Sequence, residues 1–321
     1  MSLPEPRHVH PKIWQICAGP DAKIPKIHSK VYYFPQGHLE HACRSPNGVT
    51  ISQFLYDHYR PSFPCIISAV NLFVDALTDE VFAKLLLTPV TAQEPPPPPV
   101  VPGQEDDDGN NLVSYVKTLT ITDTKSVFNI PHECADLIFP KLDLEKSQNI
   151  TVTDLKSQEW ECTYVKLSRL RTGWSHFVKE KKLVAKDSVV FMKNSAGKIL
   201  VGIRRNTNFP AAEAGERGRN LTASAVLNAV ELADKNTEFE VVYYPTARNW
   251  CDFVMDAKVV DDAMKIGWES GMRVKLTLKK DESSNLKTYY QPKGTISTVF
   301  NYSSNVPNWR MLEVHIYAFL F

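Results

Sequence analysis

The sequence predicts an α+β fold that is mostly β. Short apolar runs rich in β-branched residues recur along its 321 residues, and turn residues separate them. The central region combines several such strands with two helices, which favours a barrel or sandwich over a parallel sheet. With 43% hydrophobic residues, the chain is long enough for two or three domains with cores of their own.

The first region, residues 11–92, is predicted to form a small sheet with helical additions. Residues 11–19 begin with proline, carry apolar residues three to four apart and end with glycine, as short helices do. A turn is expected at Gly37. Three strands are predicted, and a turn joins the last two: residues 30–35, 64–74 and 80–87, with the turn at 76–79.

Residues 93–112 are predicted to be a linker of proline and acidic residues. A proline run cannot join a sheet or continue a helix, and neighbouring carboxylates repel one another. A docking ligand for an aromatic groove is the alternative interpretation of the proline run.

Residues 113–205 form the basic part of a nearly neutral chain. They contain 16 Lys and Arg against 10 Asp and Glu, whereas the whole chain has a net charge of +1. Residues 166–205 alone hold eleven Lys or Arg against two acids, and so concentrated a positive field indicates a polyanionic partner. The elements predicted here are strands at 113–120, 150–154 and 159–166, a hairpin at 189–191 and 199–203, and helices at 131–138 and 175–182, the second capped by Ser175.

The last region begins with a loop, residues 206–220, and the clearest helix of the chain, residues 221–234. Thr222 is the expected cap of that helix. A second mostly-β unit is predicted to follow, with strands at 239–244, 252–258, 273–279 and 294–299.

Several classes of protein are not expected. No nucleophile elbow, P-loop, GxGxxG or HExxH motif is present, so we predict neither an enzyme nor a cofactor or small-molecule ligand. No apolar stretch approaches a membrane span, and the six scattered cysteines indicate reduced thiols. His38, His41 and Cys43 could begin a zinc site, but no second ligand pair follows at finger spacing, and we predict no metal.

A loop in the basic region has the residues that DNA recognition uses. Lys166, Arg169 and Arg171 precede the sequence Thr172-Gly173-Trp174-Ser175. Arginine can donate two parallel hydrogen bonds to guanine or grip a phosphate, and a hydroxyl beside a helix start suits a phosphate oxygen. Lys179, Lys181 and Lys182 would add non-specific attraction. Solvated faces of ordinary strands and helices are the alternative interpretation.

Three groups of motifs resemble plant auxin response factors. HPKIWQICAGP, VYYFPQGHLEHA and TDEVFAKLLL resemble their N-terminal dimerisation segment. KTLTITD, HECAD, TGWSHFV, KKLVAKDSVVFM and VGIRR resemble their B3 DNA-binding domain, and FEVVYYPTA, GMRVKL and PNWRMLEV their ancillary domain. The motifs stand in the family's order over nearly the whole chain, and FEVVYYPTA favours the repressor branch.

The resemblance implies a more specific architecture. A seven-stranded B3 pseudobarrel would be inserted into a dimerisation domain and followed by a small barrel-like ancillary domain. The implied bounds are 11–92 and 221–314 for the dimerisation domain with its ancillary part, 93–112 and 206–220 for linkers, 113–205 for the B3 domain and 315–321 for an atypical tail.

The resemblance also implies partners and contact residues. We expect a nuclear regulator of transcription that binds double-stranded DNA at auxin-response elements, as a homodimer or as a heterodimer with related factors. The residues expected at DNA are Lys125, Ser126, Lys166, Arg169, Arg171, Thr172 and Ser175. Close helix approach through small residues is expected at Ala223, Ala225, Val226 and Ala229, although this stripe could instead pack on its own barrel.

The chain departs from the family where the family contacts DNA. Residues 123–131 lack the family's His-Gly-Gly loop, and residues 166–171 are shorter than its arginine-rich loop. Lost glycines remove positive-φ conformations, and a shorter loop displaces any arginine by several ångströms. After WRMLEV the sequence ends in HIYAFLF. A truncated dimerising decoy with weak or non-specific DNA binding is therefore the alternative hypothesis.

Overall fold

The structure is a computed structural model, and it describes residues 5–20, 22–42, 48–90, 111–125, 127–141, 147–206, 221–245, 253–275, 278–279, 289–290, 293–300 and 306–316. The helices are α1 (Pro11–Ala18), α2 (Pro35–Ala42), α3 (Gly48–His58), α4 (His132–Ile138), α5 (Trp174–Glu180), α6 (Ala223–Asp234) and α7 (Ala257–Met264). The strands are β1 (Arg7–His8), β2 (Lys30–Tyr33), β3 (Phe63–Val74), β4 (Val81–Pro89), β5 (Val113–Thr118), β6 (Phe128–Asn129), β7 (Gln148–Asp154), β8 (Glu159–Val165), β9 (Arg169–Leu170), β10 (Ser188–Lys193), β11 (Ile199–Arg204), β12 (Phe239–Tyr243), β13 (Val254–Asp256), β14 (Arg273–Lys275), β15 (Leu278–Lys279), β16 (Tyr289–Tyr290), β17 (Lys293–Val299) and β18 (Leu312–Ile316).

The first sheet joins segments from both sides of the basic region. Its order is β12-β4-β3-β2-β13, and β1 pairs with β3. Inward residues of β3 and β4 alternate with outward ones, and Trp14, Phe63, Ile67 and Leu87 are fully buried in the core beneath them. We call the part of the fold that holds this sheet, which comprises the described residues between 5 and 90 and between 221 and 256, the flanking unit.

The second sheet lies within residues 111–206, which we call the central unit. Its order is β5-β10-β11-β7-β8-β9-β6, with β11 and β7 parallel and the other pairs antiparallel. The end strands approach each other, because the Lys117 ammonium on β5 donates to the Asn129 carbonyl on β6. Helices α4 and α5 bury Ile138, Trp174 and Phe177 in the same core. The predicted seven-stranded pseudobarrel, its insertion into a flanking domain and the mostly-β fold class are confirmed.

The C-terminal strands form a smaller unit. Strands β14, β17 and β18 make a three-stranded antiparallel sheet, and β15 pairs with β16. Over the C-terminal residues that the structure describes, these strands do not join into one closed ladder. The predicted tail at 315–321 lies mostly outside the described residues.

Three predictions about local structure are wrong, and one helix was not predicted. The turn expected at Gly37 is helix α2, and α3 was not anticipated. Residues 252–258 were predicted as one strand, but β13 ends at Asp256, whose side chain caps helix α7. Ser175 lies in the first turn of α5, whose cap is Gly173.

The central and flanking units share a tightly packed junction. The Arg204 guanidinium donates to the carbonyl oxygens of Cys17 (2.6 Å) and Ile16 (2.7 Å) at the end of α1. A side chain at Gly202 would collide with the Cys17 sulfur, so only glycine lets β11 lie this close to α1. No helix among the described residues is long and apolar enough to cross a membrane.

Candidate nucleic-acid interface

Two loops of the central unit meet beside the short β6–β9 ladder. In this ladder Phe128 faces Leu170, and Asn129 faces Arg169. The Ile130 amide also donates to the Ser168 carbonyl at 2.8 Å. We call the surface formed by the turn 120–125, strand β6 and residues 165–175 the basic edge.

The β8–β9 connection is a compact turn. Val165 pairs with Arg169, so three residues make the turn, and Leu167 (φ 65°) and Ser168 (φ 51°) both adopt left-handed conformations. Leu167 stands at the tip with 72% of its surface exposed. The positive-φ positions that glycine would normally fill are thus held here by ordinary residues, at a conformational cost of about 1–2 kcal/mol each.

Both candidate arginines lie directly after this turn in the chain. Leu170 is fully buried between them and anchors the strand. Because successive side chains of extended backbone alternate, Arg169 and Arg171 lie on the side opposite Leu170. Arg169 is half-buried, Arg171 is exposed, and the Arg171 amide donates to the Thr163 carbonyl at 3.0 Å. Lys166, in the turn itself, is exposed.

Helix α5 begins directly behind the arginines. Gly173 has φ +94°, and any side chain there would overlap the Glu161 carbonyl oxygen, so this bend requires glycine. The bend leaves Thr172 and Ser175 exposed while Trp174 is buried. The two hydroxyl residues therefore reach the basic edge without the capping bond that the sequence had predicted for Ser175.

Lys125 reaches the same edge from the other loop. It is exposed at the end of the turn 120–125, and the Trp174 indole N–H donates to the Asp123 carbonyl of that turn at 2.7 Å. This bond ties the loop that carries Lys125 to the start of α5. Ser126, the remaining predicted contact residue, lies outside the described residues.

Asp123 is the buried charge beneath the basic edge. Its side chain is 1% exposed and forms an ion pair with the Lys117 ammonium at 2.8 Å. Burial opposes ionisation, but the bonds from Lys117 and from the Thr120 amide and hydroxyl outweigh it and hold the pKa of Asp123 below its usual value. The carboxylate is therefore charged at neutral pH, and Lys117 is occupied with it.

Lys181 does not lie on a DNA-facing surface, contrary to the sequence prediction. Its side chain is 4% exposed, and its ammonium contacts Asp154 of the central unit at 2.6 Å and Asp79 of the flanking unit at 2.8 Å. Burial lowers the pKa of Lys181, and the two carboxylates more than compensate, so that the pKa is raised overall. Lys179 and Lys182 are exposed.

Arg204 and Arg205 also turn inward. Arg205 pairs with Asp187 at 3.1 Å and donates to the Thr78 and Lys181 carbonyl oxygens, and it is 9% exposed. Three of the eleven cations counted between residues 166 and 205 thus join the two units together. The charge that remains available for a polyanion is smaller than the sequence suggests.

The predicted dimer stripe on α6 is mostly internal. Val226 (0% exposed) and Ala229 (2%) lie in the core of the flanking unit, so neither can form a dimer contact. Ala223 is half-buried, and only Ala225 of the four is exposed. The alternative interpretation, in which the stripe packs on its own sheet, holds for those two core positions.

His38 of the suggested zinc site has a structural role. His38 is buried, lies 2.8 Å from the Tyr33 hydroxyl through Nδ1 and stacks on Phe253. Burial lowers the pKa of His38 to about 3. Cys43 lies outside the described residues, and within the described part of the chain no three His, Cys, Asp or Glu side chains form a metal-binding group.

The residues that support the basic edge were not predicted from the sequence. Asp123 and Thr120 cap each other: the Thr120 amide donates to Asp123 at 2.9 Å, and the Asp123 amide donates to the Thr120 hydroxyl at 3.3 Å. The spacing of Thr120 and Asp123 fits the capping pattern of Ser or Thr followed three residues later by Asp or Glu, so the sequence could have revealed this capping.

Comparison with known proteins agrees with this geometry. Residues 115–207 match the family model of the B3 DNA-binding domain. Auxin response factor 17 of Arabidopsis thaliana is 35% identical over 96% of this chain, and auxin response factor 16 of the same plant is 36% identical over 95%. The chain spans 59% and 52% of those two relatives.

The similarity of this chain to a solved structure is weaker than its similarity to these relatives. The crystal structure of the Arabidopsis thaliana transcription factor LEC2–DNA complex matches 32% of this chain and 100% of its own, at 20% identity and a TM-score of 0.26. The family model and the relatives confirm that the chain is not an enzyme. The chain is therefore similar to auxin response factors over nearly its whole length, and its central unit matches the B3 DNA-binding domain.

Proposed function

We propose that the chain is a transcription factor that binds the major groove of double-stranded DNA through the basic edge. The observation that carries this proposal is the convergence of two loops, one bearing Lys125 and the other Arg169 and Arg171, on one exposed side of the B3 domain. Two basic loops held by a folded sheet can follow a groove, whereas scattered surface lysines cannot.

The residues of the edge divide by chemistry. Arg171 is exposed and Arg169 is half-buried beside it, and each can donate two parallel hydrogen bonds to a guanine edge. Lys125, Lys166, Thr172 and Ser175 supply contacts to phosphate oxygens, which set register without reading sequence. Ser126 belongs to this group by its position in the chain.

The biological setting follows from the relatives. Both compared proteins are named auxin response factors, which supports auxin-response promoter elements as the DNA, the nucleus as the compartment and regulation of transcription as the outcome. Assembly as a homodimer, or as a heterodimer with related factors, would use the flanking unit, with Ala225 as an exposed small residue of α6. Two linked half-sites multiply modest affinities.

A dimerising decoy remains the second candidate function. The observation that favours it is the β8–β9 turn, in which only three residues separate Val165 from Arg169 and an exposed apolar side chain, Leu167, occupies the tip. Such a chain would bind phosphates without reading bases and would act by pairing with related factors.

A titration with two duplexes separates the candidates. Wild-type chain is titrated against a duplex carrying an auxin-response promoter element and against a scrambled duplex, over about 50–200 mM salt. A sequence reader prefers the element, and Arg171→Ala reduces that preference by about 1–3 kcal/mol, whereas Lys182→Ala leaves it intact. Equal affinity for both duplexes with a steep salt dependence would support the decoy.

A further inference from the structure

One buried residue, Asp123, hydrogen-bonds to several segments of the basic edge, through its carboxylate and through its main-chain carbonyl. Asp123 Oδ1 accepts from the Lys117 ammonium at 2.8 Å and from the Asn129 amide at 3.2 Å. Its Oδ2 accepts from the Thr120 amide at 2.9 Å and from the Thr120 hydroxyl at 2.7 Å. Its main-chain carbonyl accepts from the Trp174 indole at 2.7 Å.

Each of these bonds holds a different part of the edge. The Thr120 bonds close the turn that ends at Lys125. The Asn129 bond fixes β6, and Asn129 is the ladder partner of Arg169. The Trp174 bond fixes the start of α5, where Thr172 and Ser175 are exposed. The distance between the turn that carries Lys125 and the segment that carries Arg169 and Arg171 is thus fixed by a single residue.

Asp123 and Lys117 are themselves withheld from DNA. The Asp123 side chain is 1% exposed and that of Lys117 is 15% exposed. The Lys117 ammonium is further engaged by the Asn129 carbonyl and lies 4.2 Å from the centre of the Phe128 ring. Neither group can act as a phosphate contact without leaving these partners.

We propose that Asp123 is a positioning residue for DNA recognition, which fixes the separation of the Lys125 and Arg169 loops without touching the nucleic acid. This inference rests on the proposed function of the basic edge. A buried carboxylate with four donors is suited to that role, because removing it leaves several buried donors unsatisfied and the loops free to separate. Base reading by arginine requires the positions of both loops to be kept within a fraction of an ångström.

The direction of the change in DNA affinity distinguishes a positioning role of Asp123 from a purely electrostatic effect of its charge. Asp123→Asn removes a negative charge beneath a DNA-facing surface, so electrostatics alone predicts stronger binding to a polyanion. The positioning role predicts weaker binding. Asp136→Asn is the matched control, because Asp136 is a 69%-exposed carboxylate on α4 of the same domain and its loss also removes one negative charge.

The experiment measures DNA affinity of the wild-type chain and of both variants at one salt concentration. We expect Asp123→Asn to weaken binding by about tenfold or more and Asp136→Asn to leave it unchanged or slightly stronger. Thr120→Val, which removes the capping hydroxyl without changing charge or volume, is expected to weaken binding in the same direction and by less. If both Asp→Asn variants bind equally well or more tightly than wild type, the positioning role is wrong.

A second measurement distinguishes a loss of positioning from a loss of folding. Hydrogen exchange of the Trp174 indole N–H is expected to accelerate in Asp123→Asn and not in Asp136→Asn, while the thermal transition of the domain stays cooperative. Unchanged exchange at Trp174 in Asp123→Asn would overturn the inference. Failure of the wild-type chain to bind any duplex would overturn the proposed function as well, whereas normal wild-type binding with an unaffected Asp123→Asn overturns the positioning role alone.

Discussion

Replacing Lys181 by methionine tests whether this cation stabilises the fold or attracts DNA. In the structure its ammonium lies between Asp79 of the flanking unit and Asp154 of the central unit, at 2.8 and 2.6 Å. Methionine keeps most of the side-chain volume and removes the charge. The two carboxylates then remain buried, at 9% and 3% exposure, without their shared cation.

The expected cost is large for one residue. Breaking a buried ion pair by removing one partner costs about 3–5 kcal/mol of stability. Lys156 still contacts Asp79 at 2.8 Å, so the lower end of this range applies. Since 1 kcal/mol shifts the unfolding midpoint of a domain above 150 residues by about 2–4 °C, Lys181→Met should lower Tm by roughly 6–12 °C.

Thermal unfolding followed by circular dichroism measures this shift. Lys182→Met is the matched control, because Lys182 is the exposed neighbour and loses the same charge; its stability should change by no more than about 0.5 kcal/mol. The salt dependence of DNA binding should be the same for folded Lys181→Met and wild type. A Lys181→Met chain as stable as Lys182→Met, with weaker DNA binding that depends on salt, would refute this reasoning and place the ammonium at the surface.

Three further predictions concern the turn, the pH dependence and the dimer. Gly173→Ala should cost more than about 2 kcal/mol in denaturant unfolding, whereas Gly197→Ala, at φ +80° with open space around it, should cost about 1 kcal/mol; equal costs would contradict the close contact at Gly173. Burial opposes ionisation of Asp123 and Asp154, but ammonium groups and hydrogen bonds lower the pKa of both overall. The contribution of these two carboxylates to folding stability is therefore complete above the ordinary Asp pKa of about 4, and it is lost as pH falls through their lower folded pKa values. Urea unfolding over an acidic pH series should show a fall in stability below about pH 4. Ala225→Arg should leave monomer stability unchanged and weaken self-association in sedimentation velocity, and unchanged association would exclude this face of α6 from the dimer interface.

The strands were largely predictable because their signal is local. Alternation and turn residues located β5, β7, β8, β10 and β11 to within a few residues, and the cap at Thr222 marked the start of α6 correctly. Gly37 misled the prediction for a physical reason. A glycine two residues after a proline is typical of a turn, but here the ring of Trp309 packs where a Cβ would stand, so the glycine serves packing within a helix.

The number of charged residues was predictable from the sequence, but which of their side chains are buried was not. The sequence shows that residues 166–205 are basic, but the partners of Lys181 lie 27 and 102 positions away, and no local pattern joins them. The same holds for Asp123, whose importance depends on Trp174, 51 positions later. The exposed basic residues of the loop could be inferred from the sequence, whereas the residues that hold the loop in place required the tertiary structure.

The proposed function depends on base reading by Arg169 and Arg171 of the basic edge. Selection of bound duplexes from a randomised library tests it most directly, because no target sequence has to be assumed. The wild-type chain should enrich a defined base pattern, each Arg→Ala variant should lose enrichment at one or two positions of it, and Lys182→Ala should keep the whole pattern with lower affinity. Enrichment of no pattern by the wild-type chain, or of the same pattern by the arginine variants, would contradict the claim.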